Sequence, residues 1–359
     1  MEEVKKKQRV GYFDALRIVA AIAVIVIHIA SQKWNSYDVG SSGWQIANIL
    51  NAVTRWAVPI FVMISGALLL DPKKPFSTRK FFRKNVLRIV IAFLAWSAFY
   101  VLYSWIVKKW EPGSILGLVT LWIEGHYHMW FLYMLLGLYI ITPILRLITS
   151  NRKILNYSLL IGLIFTFIIP GIASLANVVT LGGDNTVAGA IKAILNSVMG
   201  SMHFSFLGSF VTYYLLGYYL RTEDFGRLQR GIMYLFGLIG AIVGCLIMNN
   251  TSEATGVKFG YNSESLSWIL AMAIAMFVFF RYHCNKIGQC KSVQLIASTS
   301  FGIYLVHAAV LDLIMRIDFF QTAEFGWLMY LLVVAVVAIV SFVVTWVLQR
   351  IPIARKIVL

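Results

Sequence analysis

An arginine and a histidine stand inside the first hydrophobic stretch of this 359-residue chain, where Asp14-Ala15-Leu16-Arg17 is followed by IVAAIAVIVI and then His28. Ionisable groups are costly in a bilayer, and those found there mark functional sites. Eleven residues span about three helical turns, or roughly 16 Å along the axis, so Arg17 and His28 face the same way at different depths. Asp14 lies one turn before Arg17 on nearly the same stripe. Other hydrophobic stretches carry comparable groups. Arg55 precedes Pro59, Ser65 and Gly66 in RWAVPIFVMISGALLL. Arg83, Lys84 and Arg88 open FFRKNVLRIV. Glu124, His126 and His128 stand beside Trp130 and Tyr133 in EGHYHMWFLY, and His307 and Asp312 lie in SFGIYLVHAAVLDLI.

These residue types suit group transfer. A neutral imidazole near pH 7 takes a hydroxyl proton as general base. Guanidinium groups bind anionic phosphate in bidentate fashion, which makes Arg88, with Arg83 and Lys84, a candidate clamp that Arg17 could join. An arginine or second histidine could stabilise a developing oxyanion. No nucleophilic Ser/His/Asp arrangement is evident, so direct transfer and a transient acyl-histidine are both open. Each group also has a plainer reading. Arg55 could snorkel to the outer interface, Ser65 and Gly66 could serve close helix packing, and Trp130 and Tyr133 could be an interfacial belt beside His126 and His128. His307 could be a structural hydrogen-bonder. A solute transporter would use a similar polar cavity, but its inverted repeats should give matching halves, and residues 1–180 and 181–359 show no convincing repetition. A sensor domain without chemistry is a third reading.

The elements that must position these groups are membrane helices. Hydrophobic residues make up 60% of the chain and charged residues 13%, against about 25% charged in soluble domains. Apolar runs of spanning length predict an all-α integral membrane protein with about ten transmembrane helices, near 11–31, 46–70, 86–107, 128–148, 154–176, 206–220, 231–248, 264–280, 293–314 and 326–348. Residues 114–124 are apolar but too short to cross, and read as an interfacial or re-entrant piece. Pro59 should kink the second span. The whole of 1–359 reads as a single transmembrane domain without a separate soluble domain.

Basic residues sort the loops. With ten spans, 23 of the 31 lysines and arginines fall in segments on one side, which the positive-inside rule makes cytoplasmic, together with both termini. Outer loops take Lys33, Lys108, Lys109, Lys192, Lys258 and Arg316. The net charge of +16 therefore reports orientation and contact with anionic membrane lipids. Nucleic-acid binding is excluded, because no soluble segment carries a basic stripe with interleaved aromatics.

The first span keeps its own polar track and lacks a small-residue cleavage site, so it reads as retained. Cys245, Cys284 and Cys290 offer no disulfide framework, and two of them fall in a cytoplasmic loop where thiols stay reduced. His283 with Cys284 and Cys290 is a weak metal candidate, and no metal is expected at His126 and His128 without further ligands. The longest outer segment, about 177–205, suits a loop plus a short helix and would shape the choice of substrate.

In FDALRIVAAIAVIVIH, RWAVPIFVMISG, FFRKNVLRI, HMWFLYMLLGLYIITPIL, SFGIYLVH and LQRIPIARK, taken in order, the chain resembles the membrane-bound acyltransferase-3 family of O-acyltransferases over about residues 10–356. The variant resembles the compact branch that acetylates cell-surface glycans, such as enterobacterial common antigen, and the membrane part of some bacterial resistance proteins. The resemblance implies acetyl-CoA, or another acyl-CoA, as a cytoplasmic cosubstrate, a cell-surface glycan or lipid-linked sugar as acceptor, and a bacterial cytoplasmic membrane. It places the family's essential histidine on His28 and its partner arginine on Arg17. Arg55, Ser65, His128, Trp130 and His307 are expected, from their own chemistry and position, to line the acceptor side. In the family's Arg-x-x-Arg motif Arg88 fits the second arginine. Asn85 occupies the first place, for which Arg83 or Lys84 would compensate. The hydrolase-like domain fused to some relatives is not expected here.

Overall fold

A computed structural model describes residues 10–109, 113–181, 187–191, 193–195, 208–259, 266–352 and 354–355. Most of the expected outer segment 177–205 lies outside the described residues. Among the described residues the ordered elements are helices, without strands. They are α1 (Gly11–Ser36), α2 (Ser42–Thr54), α3 (Ala57–Leu69), α4 (Thr78–Phe81), α5 (Leu87–Lys108), α6 (Ile115–Glu124), α7 (Trp130–Ser150), α8 (Arg152–Leu163) and α9 (Ile169–Leu181). After these come α10 (Ser209–Thr222), α11 (Arg227–Thr255), α12 (Ser267–His283), α13 (Lys291–Met315), α14 (Asp318–Thr322) and α15 (Trp327–Leu348).

Where the structure describes them, the ten expected spans are helical, and among the described residues eight helices are long and apolar enough to cross a membrane: α1, α2 with α3, α4 with α5, α7, α8 running into α9, α11, α13 and α15. Two are shorter, α10 with 14 residues and α12 with 17. Side-chain contacts sort the helix ends into two sets. On one face the Tyr12 amide donates to Asn285 Oδ1 at 3.3 Å. Arg152 pairs with Glu223 at 2.5 Å, and Arg281 donates to the Leu220 carbonyl at 2.6 Å. On the other face Lys258 donates to the Asn35 carbonyl at 2.6 Å and Lys108 pairs with Asp312 at 3.5 Å. The α1 start and the α10, α12 and α13 ends thus follow the alternation the loop charges predict.

The interior is built on glycine. A Cβ on Gly66 would lie 1.9 Å from the Tyr214 carbonyl oxygen, and one on Gly217 would lie 2.0 Å from that of Met63. Helices α3 and α10 therefore cross backbone to backbone, the close approach small residues permit in membranes. The C-terminal carbonyls of α3 need partners, since lipid offers none. Arg146 donates to Leu69 O at 2.6 Å and to Lys74 O at 2.8 Å. Thr149 Oγ1 donates to Leu70 O at 2.6 Å, and Arg221 donates to Ala67 O. The foot of α3 is held by two neighbouring helices.

Lys33, expected in an outer loop, sits in the last turn of α1 and is 4% exposed. Its ammonium donates to the carbonyls of Phe320 (2.5 Å), Gln321 (3.1 Å) and Ala323 (3.2 Å) and lies 4.2 Å from the Phe325 ring centroid. A buried ammonium needs such acceptors, and here they cap α14.

Helix α6 is a re-entrant piece. Trp122 Nε1 donates to Leu94 O at 2.9 Å, and Ser97 donates to Trp122 O. Leu94 and Ser97 lie well inside α5, eleven or more residues from its Lys108 end, or roughly 16 Å along the axis at ~1.5 Å per residue. The chain turns there at Gly125, whose φ is +74°, a left-handed conformation glycine adopts without strain. A 3-10 turn, Tyr127–Met129, then leads into α7.

Candidate active site

Three helices place a ring at one depth. His28 precedes the last residue of α1, Ser36, by eight positions; Tyr100 precedes Lys108 of α5 by eight; His307 precedes Met315 of α13 by eight. Each therefore lies about 12 Å below the outer end of its helix. The rings meet there. The His28 and His307 centroids are 5.1 Å apart, and those of His128 and His307 5.3 Å. His126 stacks on Tyr100 at 4.2 Å and 14°, and Tyr127 meets His28 edge-on at 5.4 Å.

This corrects the expectation that Glu124, His126 and His128 mark the outer interface. The re-entrant turn carries both histidines inward, and His128 is 2% exposed. Hydrogen bonds fix the turn: Tyr304 donates to His128 O at 2.7 Å, and the Nδ1 atoms of His126 and His128 are 3.0 Å apart. Trp130, expected towards the acceptor with an interfacial belt as the plainer reading, lines a cavity at this level. Asp312 stays out of it, held at the outer end of α13 by Tyr103 at 2.6 Å and Arg316 at 2.9 Å.

Arg55 is also deeper than an outer-interface residue. Helices α1 and α2 run antiparallel, with Trp34 donating to Asn48 at 3.2 Å and Asn51 donating to Ser31 at 3.2 Å. One turn further inward brings Arg55 to the level of Ile27 and His28. Its Nε donates to Asn51 Oδ1 at 2.9 Å. The helix breaks at Arg55–Trp56, between α2 and α3. Pro59 causes this, because a proline removes the N–H that would bond the carbonyl four residues earlier, which is that of Arg55. The expected kink thus falls at the arginine itself, where Arg55 and Trp56 keep right-handed helical dihedrals but the ladder loses a bond.

A cavity of about 590 Å³ joins these groups to the opposite face. His28, Arg55, His128, Trp130 and Phe131 line its outer part, Ser65 and Tyr139 its middle, and Arg17, Asn85, Arg88 and Phe301 its inner mouth. Arg17 donates to Asp14 Oδ1 at 3.1 Å, and Asp14 is 1% exposed. The Arg88 guanidinium lies 5.7 Å from the Phe301 ring centroid. Ser65 Oγ donates to Phe61 O at 2.9 Å.

Seven of the ten sequence-derived residues therefore share one cavity: Arg17, His28, Arg55, Ser65, Arg88, His128 and Trp130. Three are elsewhere. Arg83 and Lys84 are exposed and off the cavity wall, while Asn85, read as a gap in the basic motif, is on it. A π-helical turn at Phe82–Val86 sets this phase; such turns insert an extra residue and rotate the helical residues beyond it. His307, expected to line the cavity, is 0% exposed behind His28. Its Nδ1 donates to Tyr304 O at 2.7 Å and Ile303 O at 3.2 Å, which fixes the tautomer and leaves Nε2 as an acceptor.

Sequence reading missed Tyr100, Tyr127, Tyr139 and Tyr304. Only Tyr304 carried a signal, standing one turn before His307 on the same helix. Among the described residues no group of three or more His, Cys, Asp or Glu is placed to hold a metal ion.

The arrangement is a basic inner mouth, an amphipathic middle and an imidazole-rich outer part, suited to moving a group from an anionic carrier to a hydroxyl. A family model described as an acyltransferase domain, acyltransferase-3, matches residues 10–350. No curated protein and no solved structure matches the chain.

Proposed function

The chain belongs to the acyltransferase-3 family and is a multi-pass membrane acyltransferase; from that premise we propose that it moves an acetyl group from cytoplasmic acetyl-CoA to a hydroxyl of a cell-surface glycan or lipid-linked sugar, in a bacterial cytoplasmic membrane. The observation that carries this reading is the single cavity with Arg17 and Arg88 at one end and His28 at the other. Two further features support it. The contacts that alternate from face to face fit ten passes with the basic ends cytoplasmic, and the cavity volume of about 590 Å³ is that of a site for a drug-sized ligand, ~300–1,000 Å³. It would take the thioester arm and leave the nucleotide outside, near Arg83 and Lys84.

His28 accepts the proton of the acceptor hydroxyl as its oxygen attacks the thioester carbonyl. Arg55 or His128, at the same depth, stabilises the oxyanion. The carbon–sulfur bond then breaks, and His28 returns the proton to the thiolate. Arg17 and Arg88 hold the anionic donor at the inner mouth. Purified protein with labelled acetyl-CoA and an acceptor tests this. Transfer should vanish in His28→Ala with the thermal melt unchanged; transfer retained in a folded variant would rule His28 out as the base.

One observation favours a second reading, an exporter of a glycan or small solute. Broken helices mark transport sites, and the α2–α3 break opens on this cavity. Solute flux in proteoliposomes without any coenzyme A dependence would support that alternative.

A further inference from the structure

His307 is the one sequence-derived histidine the transfer step above does not use, although it is closest to the ring that does the work. It cannot touch substrate, being 0% exposed. Its hydrogen bonds to Tyr304 O and Ile303 O commit the proton to Nδ1. Nε2 is therefore a lone pair, buried and without a hydrogen-bond partner among the described residues. A buried polar atom in that state is costly, so it needs an explanation. The His28 ring is 5.1 Å away, centroid to centroid, at 35°. A ring nitrogen lies about 1.2 Å from its centroid, so two nitrogens facing along that line would be about 2.7 Å apart, a hydrogen-bond distance.

We propose that His307 is the positioning residue for His28: its Nε2 accepts the N–H from one His28 nitrogen, so that the other presents its lone pair to the cavity. A rotation of the His28 ring about its Cβ–Cγ bond closes the contact. The proposal rests on His28 as the base. When His28 takes the hydroxyl proton at its cavity-facing nitrogen, the N–H to His307 stays in place and stabilises the imidazolium. The proton then passes to the departing thiolate, and His307 changes neither charge nor tautomer. His307 does here what a carboxylate does for the histidine of a catalytic triad, and the carbonyls of Tyr304 and Ile303 hold it in the tautomer that can accept. Arg55 comes from the α2–α3 junction, Tyr127 from the re-entrant turn and Arg17 from three turns away. His128, whose ring is 5.3 Å from His307 and whose Nε2 also lacks a partner among the described residues, is the rival donor to this lone pair, and the labelling of His28 itself separates the two.

Two isosteres separate this role from packing. Glutamine at position 307 can place an amide oxygen where Nε2 lies, whereas asparagine reaches only the Nδ1 position. His307→Gln should keep turnover within about threefold of wild type. His307→Asn should lose kcat at least tenfold with KM for acetyl-CoA unchanged. The opposite order, or equal activity, would overturn the proposal, as would loss of folding in both variants, which would assign His307 to packing. A second readout needs no turnover: carbethoxylation of His28 by diethylpyrocarbonate, followed by mass spectrometry. It should slow several-fold in the Asn variant and stay near wild type in the Gln variant; equal rates in all three proteins would overturn the proposal. If His28→Ala still transfers acetyl groups, the proposed chemistry fails, while the labelling result still reports whether the two rings are coupled.

Discussion

His28 and Arg55 stand at the same level of the membrane although they come from different helices, because α2 pairs antiparallel with α1 through Asn48–Trp34 and Asn51–Ser31 before breaking at Arg55. A base and a fixed cation are thereby brought to one wall of one cavity, and the break that aims the arginine is caused by Pro59, four residues on.

Pro59→Ala should restore the missing N–H to the Arg55 carbonyl and straighten α2 into α3. Interior proline costs a helix about 3 kcal/mol, so the variant should melt at or above the wild-type temperature. Turnover should fall at least tenfold as Arg55 is turned away from His28. A stable variant with full activity would separate the break from catalysis.

Arg88 and its neighbours should divide by position. Arg88→Ala removes a charge-assisted contact worth ~1.5–3 kcal/mol and should raise KM for acetyl-CoA about ten- to hundredfold. Arg83→Ala and Lys84→Ala, exposed and off the wall, should raise it only a few-fold, with an effect that fades as salt rises. Steady-state kinetics at two ionic strengths make the comparison.

Gly66→Ala would drive a Cβ to within 1.9 Å of the Tyr214 carbonyl oxygen. Overpacking of this kind costs typically ~1–3 kcal/mol, and here it falls on backbone that cannot turn aside. The melting temperature in detergent should drop by several degrees. Gly137→Ala, with nothing within 4 Å of its Cβ, should be neutral or stabilising by up to ~1 kcal/mol.

Cys290 gives a native probe of sidedness. It is exposed, whereas Cys284 is buried and Cys245 half-buried, and it lies in the loop joined to the α1 start through Asn285. A membrane-impermeant maleimide should label it in inverted vesicles and leave it unlabelled in right-side-out cells. The reverse pattern would invert the whole topology.

Much of this is legible in the sequence because apolar length and loop charge are local properties. The described parts of the expected spans are helical, and Arg17 and Arg88 share one end of the cavity. The Arg17–His28 spacing survives because both residues ride one unbroken helix. Depth across connections is not legible. The short apolar run 114–124 reads as interfacial or re-entrant, but nothing in GHYHM says how deep the turn goes, so the sequence alone leaves His126 and His128 at the outer interface. Nor does FFRKNV announce the π turn that faces Asn85 inward and Lys84 outward. Lys33 reads as a loop charge because its three carbonyl partners lie some 290 residues away in the chain. His307 lies within its expected span but not on the cavity wall, since only the packing of α13 on α1 puts it behind His28.

The Arg17–His28 separation works as a ruler. The two residues are eleven positions apart on a straight helix, or roughly 16 Å, and the outer rim is only about 12 Å above His28. An acceptor hydroxyl therefore needs a shallow dip, while the donor must hold its anionic part and its reactive carbonyl a long arm's length apart. A thioester at the tip of a flexible chain meets that requirement. Acetyl phosphate, whose acyl group is bonded directly to its phosphate, is too short to be held at one end and react at the other, so under the proposed mechanism reach selects the donor before any contact with the acyl group is made.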